Sequence, residues 1–261
     1  MEAVAATAAP ADVDARARAG DREAFASLYG PHFEGVYDYV LRVVGERELA
    51  AEVVRSTFAK VQREFAEQGS DVAPWLFATA RSAVLDALRY RRDRNGDVRE
   101  ALKFTGVDGD RVPDANVVFD RELVELVWDT AAALPRDEYS LLALHVRHDL
   151  AVDAIAEQLG LNGTAATRLT RSRETFDEAV LCDLVARRGR HNCAELDIHV
   201  RQDDRRAVTQ HIQRCAQCQQ SSRAFVSPTE VLGSLARMAP AKSLRREVFR
   251  RARRGRLFGM L

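Results

Sequence analysis

The sequence predicts an all-α protein, on three observations. Apolar residues recur at steps of three and four along most of the chain, the spacing of one face of a helix. No stretch shows the alternation of a half-buried strand. Proline and glycine fall at the breaks of the pattern, at Pro31, Gly45, Pro74, Pro135 and Gly160. A chain of 261 residues, 46% hydrophobic and 30% charged, has enough apolar side chain for two or three small domains.

The blocks follow in order. Residues 1–16 read as a disordered N-terminal segment. Phe25, Leu28, Tyr29, Phe33, Val36, Tyr37, Val40 and Leu41 mark a helix, or two broken near Pro31. Leu49, Val53, Val54, Phe58, Val61 and Phe65 mark the next. Pro74 suits a first helical turn, where its missing N–H costs nothing. That helix runs through Trp75, Leu76, Ala80, Val84, Leu85 and Leu88 to a basic end, and residues 17–95 are read as one domain.

Residues 96–120 are acidic, rich in glycine and poor in periodicity, and are read as a linker with one short helix near Arg99 to Phe104. Residues 121–186 form a second helical domain, 187–226 a small third one that carries three of the four cysteines, and 227–261 a basic helical tail.

Four cysteines in a chain this long do not make a secreted disulfide scaffold. No run approaches the roughly 18 apolar residues of a membrane span. Met1 to Pro10 lacks the pattern of a signal peptide, and a cytoplasmic location is expected. The formal net charge is zero, but the charges are segregated. Residues 1–186 hold 22 basic and 33 acidic side chains, a net of −11; residues 187–261 hold 17 and 6, a net of +11.

Between Leu150 and Leu161, Ile155 and Leu159 face a core, Ala156 is small where helices cross, and Gly160 permits a turn. The following helix, about Thr164 to Phe176, brings Thr167, Arg168, Arg171 and Arg173. This is the layout of a helix-turn-helix, whose second helix enters the major groove with short residues leading and basic ones reaching phosphates and bases. An ordinary helical hairpin with a solvated basic face has the same layout.

From about Ala17 to Val180 the chain resembles bacterial sigma factors of the extracytoplasmic-function type. The resemblance rests on Gly20-Asp21-Arg22-Glu23-Ala24-Phe25, Thr57-Phe58 with Val61, Trp75 to Arg81 with Leu85 to Arg89, Ala133-Leu134-Pro135, Ile155 to Gly160, and Arg168 to Arg173. It implies a first domain that binds core RNA polymerase and the melted −10 element, and a second that reads the −35 element in promoter DNA. Glu52, Arg55, Ser56 and Phe58 then stand on the polymerase-binding helix. Arg81, Arg89, Arg91 and Arg92 become candidates for phosphates, and Trp75 for stacking on a base or for the core. Thr164, Thr167, Arg168, Arg171 and Arg173 become the duplex-reading set. Ala165 and Ala166 offer bases no donor or acceptor.

His211-Ile212-Gln213-Arg214-Cys215-Ala216-Gln217-Cys218 spells H-x3-C-x2-C. Residues four apart share a helical face, so His211 and Cys215 can reach one ion, with Cys218 at the helix end or in the turn. Thiolates and imidazole at this spacing suit tetrahedral zinc. Cys193 is the first choice of fourth ligand, with His191 and His199 as alternatives. Cys182, among Val180, Leu181 and Leu184, reads as core. Residues 190–250 resemble the zinc-binding anti-sigma domain, which implies a sigma factor carrying its own regulator, with zinc either structural or a redox or metal sensor.

The segment Lys242 to Arg256 holds eight basic residues and one glutamate, with Leu244, Val248 and Ala252 on one stripe. It suits nucleic acid, an anionic membrane surface, the acidic sigma half of its own chain, or solvent. No catalytic motif accompanies the cysteines, so no enzyme is expected. The alternative function is a non-initiating regulator that uses the sigma fold to engage a partner such as an anti-sigma factor.

Overall fold

The computed structural model describes residues 10–64, 72–95, 121–161 and 163–251. The linker 96–120, its expected short helix and the tail beyond Arg251 lie outside them. Every described element is helical, as the periodicity requires, and they form two compact units.

The first unit holds α1 (Pro10–Arg18), α2 (Arg22–Tyr29), α3 (Phe33–Val44), α4 (Arg47–Glu64), α5 (Val72–Asn95) and, from the far end of the sequence, α14 (Lys242–Arg251). The α1 helix covers residues 10–16, where disorder is expected: Pro10 opens it, alanines fill it, and Arg16 pairs with Asp21 at 2.6 Å. Asp21 also caps α2 by accepting from the amides of Glu23 and Ala24. The Ala24 amide, then the Arg16 guanidinium, then the Glu23 amide hold its carboxyl below the usual carboxylate range. Pro31 sits in a 3₁₀ turn, Gly30–His32, that breaks α2 from α3.

The core of this unit is Phe25, Tyr29, Phe33, Val36, Val40, Val53, Val54, Phe58, Val61, Leu76, Phe77 and Val84. Leu244, Val248 and Phe249 of α14 are buried as well. The Phe249 ring lies 5.7 Å from Phe58, 5.6 Å from Phe33 and 6.1 Å from Phe25, centroid to centroid. Tilted and edge-on rings at such distances attract beyond the area they bury. The Arg245 guanidinium stands over the Phe33 ring at 5.6 Å. Just before α14, the Met238 amide donates to the fully buried Asp38 carboxylate at 2.9 Å.

The second unit holds α6 (Arg121–Ala133), α7 (Arg136–Val146), α8 (Val152–Leu159, apart from its last turn), α9 (Ala165–Leu184), α10 (Ala194–Arg201), α11 (Arg205–Arg214), α12 (Ala216–Arg223) and α13 (Pro228–Ser234). Leu126, Val127, Tyr139, Leu141, Leu142, Leu144, Ile155, Leu169, Phe176 and Val180 build its main core. The α9 helix runs well past Phe176, where the sequence reading ends it, because Val180 and Leu184 continue the buried stripe. A π turn, Val185–Gly189, carries it directly into the cysteine-bearing segment. No loop divides residues 121–186 from 187–226. Cys182 and Val185 pack with Cys193, Leu196, Val208, Ile212 and Cys218 in one small cluster.

The α13 helix is fixed at both ends. The Thr229 amide and hydroxyl donate to Asp177 Oδ1 of α9 at 2.8 and 2.6 Å. Arg147, only 3% exposed, donates from Nη1 to the carbonyls of Leu232 and Leu235 at 2.6 and 3.2 Å. These are C-terminal carbonyls that lack helical partners. Gly233 allows the approach, since a Cβ there would lie 3.1 Å from the Val146 carbonyl oxygen.

Candidate metal centre and nucleic-acid interface

Cys193, His211, Cys215 and Cys218 each offer one donor atom, and the four atoms lie within 4.8 Å of one another. They could hold a metal ion, and Cys193, the first choice among the upstream candidates, is the fourth member of the group. It ends the short 3₁₀ turn Arg190–Asn192 and caps α10, which turns its sulfur toward α11. His211 stands in the last turn of α11, with Nε2 3.2 Å from Cys193 Sγ. The helix stops before Cys215, whose amide still donates to the His211 carbonyl at 2.8 Å. Cys215 is thus the corner between α11 and α12, and Cys218 lies in the first turn of α12.

The corner tunes the sulfurs. The Cys218 amide, above all, donates to Cys215 and lowers its pKa, with smaller help from the Cys218 thiol and the Gln217 amide. Burial pushes Cys218 up to about 12, and the neighbouring Cys193 and Cys215 thiols add to it. A positive ion among three sulfurs and an imidazole would remove that mutual opposition. Cys182 is core, as read, and burial raises it to about 11. His191 is exposed on the 3₁₀ turn, and His199 stands beside His211, 5.7 Å between ring centroids.

On α4, Glu52 and Ser56 are exposed, four residues apart on one face. Arg55 donates from Nε to Glu247 of α14 at 2.9 Å. Phe58 is 2% exposed, inside the aromatic cluster, as its place in the apolar stripe of α4 predicts, so its ring offers a partner no surface. Trp75 is 8% exposed, so its ring belongs to the core and is not free to stack on a base. Arg89 is exposed beside Asp86, and Arg81 is half-buried. Arg91 pairs with Glu46 at 2.6 Å, and its guanidinium holds Glu46 below its usual range. The Arg92 side chain lies outside the described part.

The helix-turn-helix is formed by α8, a turn with Gly160 at φ 66°, and α9. Only glycine takes that backbone angle without strain. Thr164, Thr167 and Arg171 share an exposed face of α9, while Arg173, two residues on from Arg171, lies nearly opposite. Arg168 is engaged within the unit, pairing with Glu138 of α7 at 2.8 Å. Burial alone would raise Glu138, but the Ser172 hydroxyl and the Arg168 guanidinium together outweigh it and lower its pKa. Arg168 therefore braces α9 on α7. Sequence reasoning missed Arg147, Asp177 and Phe249. Nothing local marks them.

Residues 28–94, from the end of α2 through α5, match the family model of sigma-70 region 2. The chain is also similar to curated sigma factors over about three fifths of its length. It is 28% identical over 157 residues to the ECF RNA polymerase sigma factor BldN of Streptomyces coelicolor, covering 59% of each chain. To the RNA polymerase sigma factor CarQ of Myxococcus xanthus it is 28% identical over 166 residues, 62% of this chain and 92% of that one. To the ECF sigma factor SigL of Mycobacterium tuberculosis it is 28% identical, covering 59% and 86%. The match thus spans less than two thirds of BldN but most of CarQ and SigL. Among the described residues, no helix is long and apolar enough to cross a membrane.

Proposed function

We propose that this chain is a sigma factor of the extracytoplasmic-function group, which directs core RNA polymerase to promoters, and that its residues beyond 186 restrain it. The match of residues 28–94 to sigma-70 region 2 carries the first part. The similarity to BldN, CarQ and SigL supports it. The first unit would engage polymerase and the melted −10 element in the cytoplasm, and α8–α9 the −35 element, through Thr164, Thr167 and Arg171.

The second part rests on α14. It covers Phe58 and ties up Arg55, two of the four residues that the resemblance assigns to polymerase binding. While α14 is in place, this part of α4 is closed. Zinc is the ion proposed for Cys193, His211, Cys215 and Cys218, since three thiolates and one imidazole suit it best. Because Cys182 and Val185 share the cluster's core, metal binding would also stiffen the end of α9. The ion is structural, or a sensor if its thiolates react.

Run-off transcription with saturating core enzyme tests the reading. Promoter-dependent transcript is expected from the full chain, and more from residues 1–241, which lack α14 but keep the second unit whole. No transcript from either, with polymerase bound, would instead favour the non-initiating regulator.

A further inference from the structure

We propose that Glu195, His199 and His211 form a second metal-ion site, of nitrogen and oxygen donors, that shares His211 with the cysteine cluster and holds one divalent ion when the sulfurs are not available as ligands. The inference rests on the reading of Cys193, His211, Cys215 and Cys218 as a metal centre.

Glu195 and His199 lie four apart on α10 and so project from one face, while His211 faces them from α11. One donor atom from each of the three lies within 4.8 Å of the others. Glu195 Oε2 is 3.6 Å from His211 Nδ1. The opposite ring nitrogen, Nε2, is 3.2 Å from Cys193 Sγ. The His211 ring therefore stands between two donor sets, one on each nitrogen. Its side chain is only 7% exposed, so packing holds it there.

A neutral imidazole has one lone pair free for a metal, on Nδ1 or on Nε2 according to its tautomer. The two sites are therefore used one at a time. They also differ in kind. The sulfur set favours zinc, whereas two imidazoles and a carboxylate accept harder ions such as manganese(II) as well as cobalt(II) or zinc. Glu195, with its side chain 71% exposed, leaves the second site open to solvent. An ion displaced from the sulfurs would meet these donors first.

Cobalt(II) and manganese(II) are the probes, on the full chain. Wild type should bind one cobalt with thiolate-to-metal absorption; absence of that band would sink the underlying cysteine reading, a result distinct from those that follow. The variant Cys193→Ser/Cys215→Ser/Cys218→Ser should still bind one cobalt without the band, and adding His199→Ala should weaken it at least tenfold. Equal cobalt binding with and without His199 would overturn the proposal. Manganese(II) binding to the metal-free wild-type chain, whose thiols a hard ion does not take as ligands, is read by loss of the free-ion electron paramagnetic resonance signal and needs no serine variant to fold. It should fall at least tenfold in Glu195→Gln and in His199→Ala. Those two changes should leave the thiolate-bound cobalt unaltered. If either weakens the thiolate-bound ion tenfold, Glu195 and His199 merely orient His211, and the second site does not exist.

Discussion

The α13 helix packs on the second unit through polar contacts at both ends, Asp177 at its start and the buried Arg147 at its finish. The α14 helix packs on the first unit through Leu244, Val248 and Phe249, with one part-exposed ion pair, Arg55 to Glu247. The first is directional and leaves costly unpaired groups if broken. The second is chiefly apolar, with one directional contact just before it, from the Met238 amide to the buried Asp38. A segment meant to stay and a segment meant to leave would differ in this way, which makes α14 the mobile element of the proposed restraint.

The largest effect should come from Phe249→Ala. Truncating a buried phenylalanine costs about 3–5 kcal/mol in a core. Here the loss should appear as release of α14, seen as faster amide exchange across residues 242–251, rather than as unfolding of α2–α5. Uniform faster exchange over the whole unit would refute the contrast.

Arg147→Ala should come next. It strips the end of α13 of a charged donor and should cost about 2–3 kcal/mol, measured by denaturant unfolding of the full chain. Asp177→Asn, which keeps an acceptor for Thr229, should cost about 1 kcal/mol by the same measurement. The smallest effect should come from Arg55 and Glu247. A double-mutant cycle on this part-exposed pair should give about 0.2–1 kcal/mol, declining with added salt.

That last pair departs from the expectation drawn from charge. The tail at +11 and the body at −11 suggest arginines of the tail seated on acids of the body, as Arg187 and Arg188 are on Glu122 and Arg205 is on Asp183. The bond between α14 and α4 runs the other way, with the arginine on the body and the glutamate on the tail. Phe249, beside the stripe read from Leu244, Val248 and Ala252, supplies the central contact. Net charge describes long-range attraction, not which atoms meet.

What was legible was local. Helical periodicity fixes the elements, and H-x3-C-x2-C fixes three donors, because such spacings act within a turn or two. Cys193 was legible too, as the nearest upstream sulfur. The clamp on α13 was not, since Arg147 and Leu232 stand 85 residues apart. Trp75 stood open between stacking and core, and Phe58 stood in both the apolar stripe and the polymerase-binding set; burial inside the first unit decides both for the core. Arg168 carried the signature of a DNA contact, and only the fold shows it satisfied by Glu138.

The central claim is that α14 closes the polymerase-facing side of α4. Its most direct test is the affinity of the full chain for core RNA polymerase, wild type against Phe249→Asp, which puts a charge into the aromatic cluster. If α14 restrains binding, the variant should bind about tenfold tighter or more, since each 1.4 kcal/mol of lost restraint is a factor of ten. Equal affinities, with α14 released in the variant by amide exchange, would contradict the account.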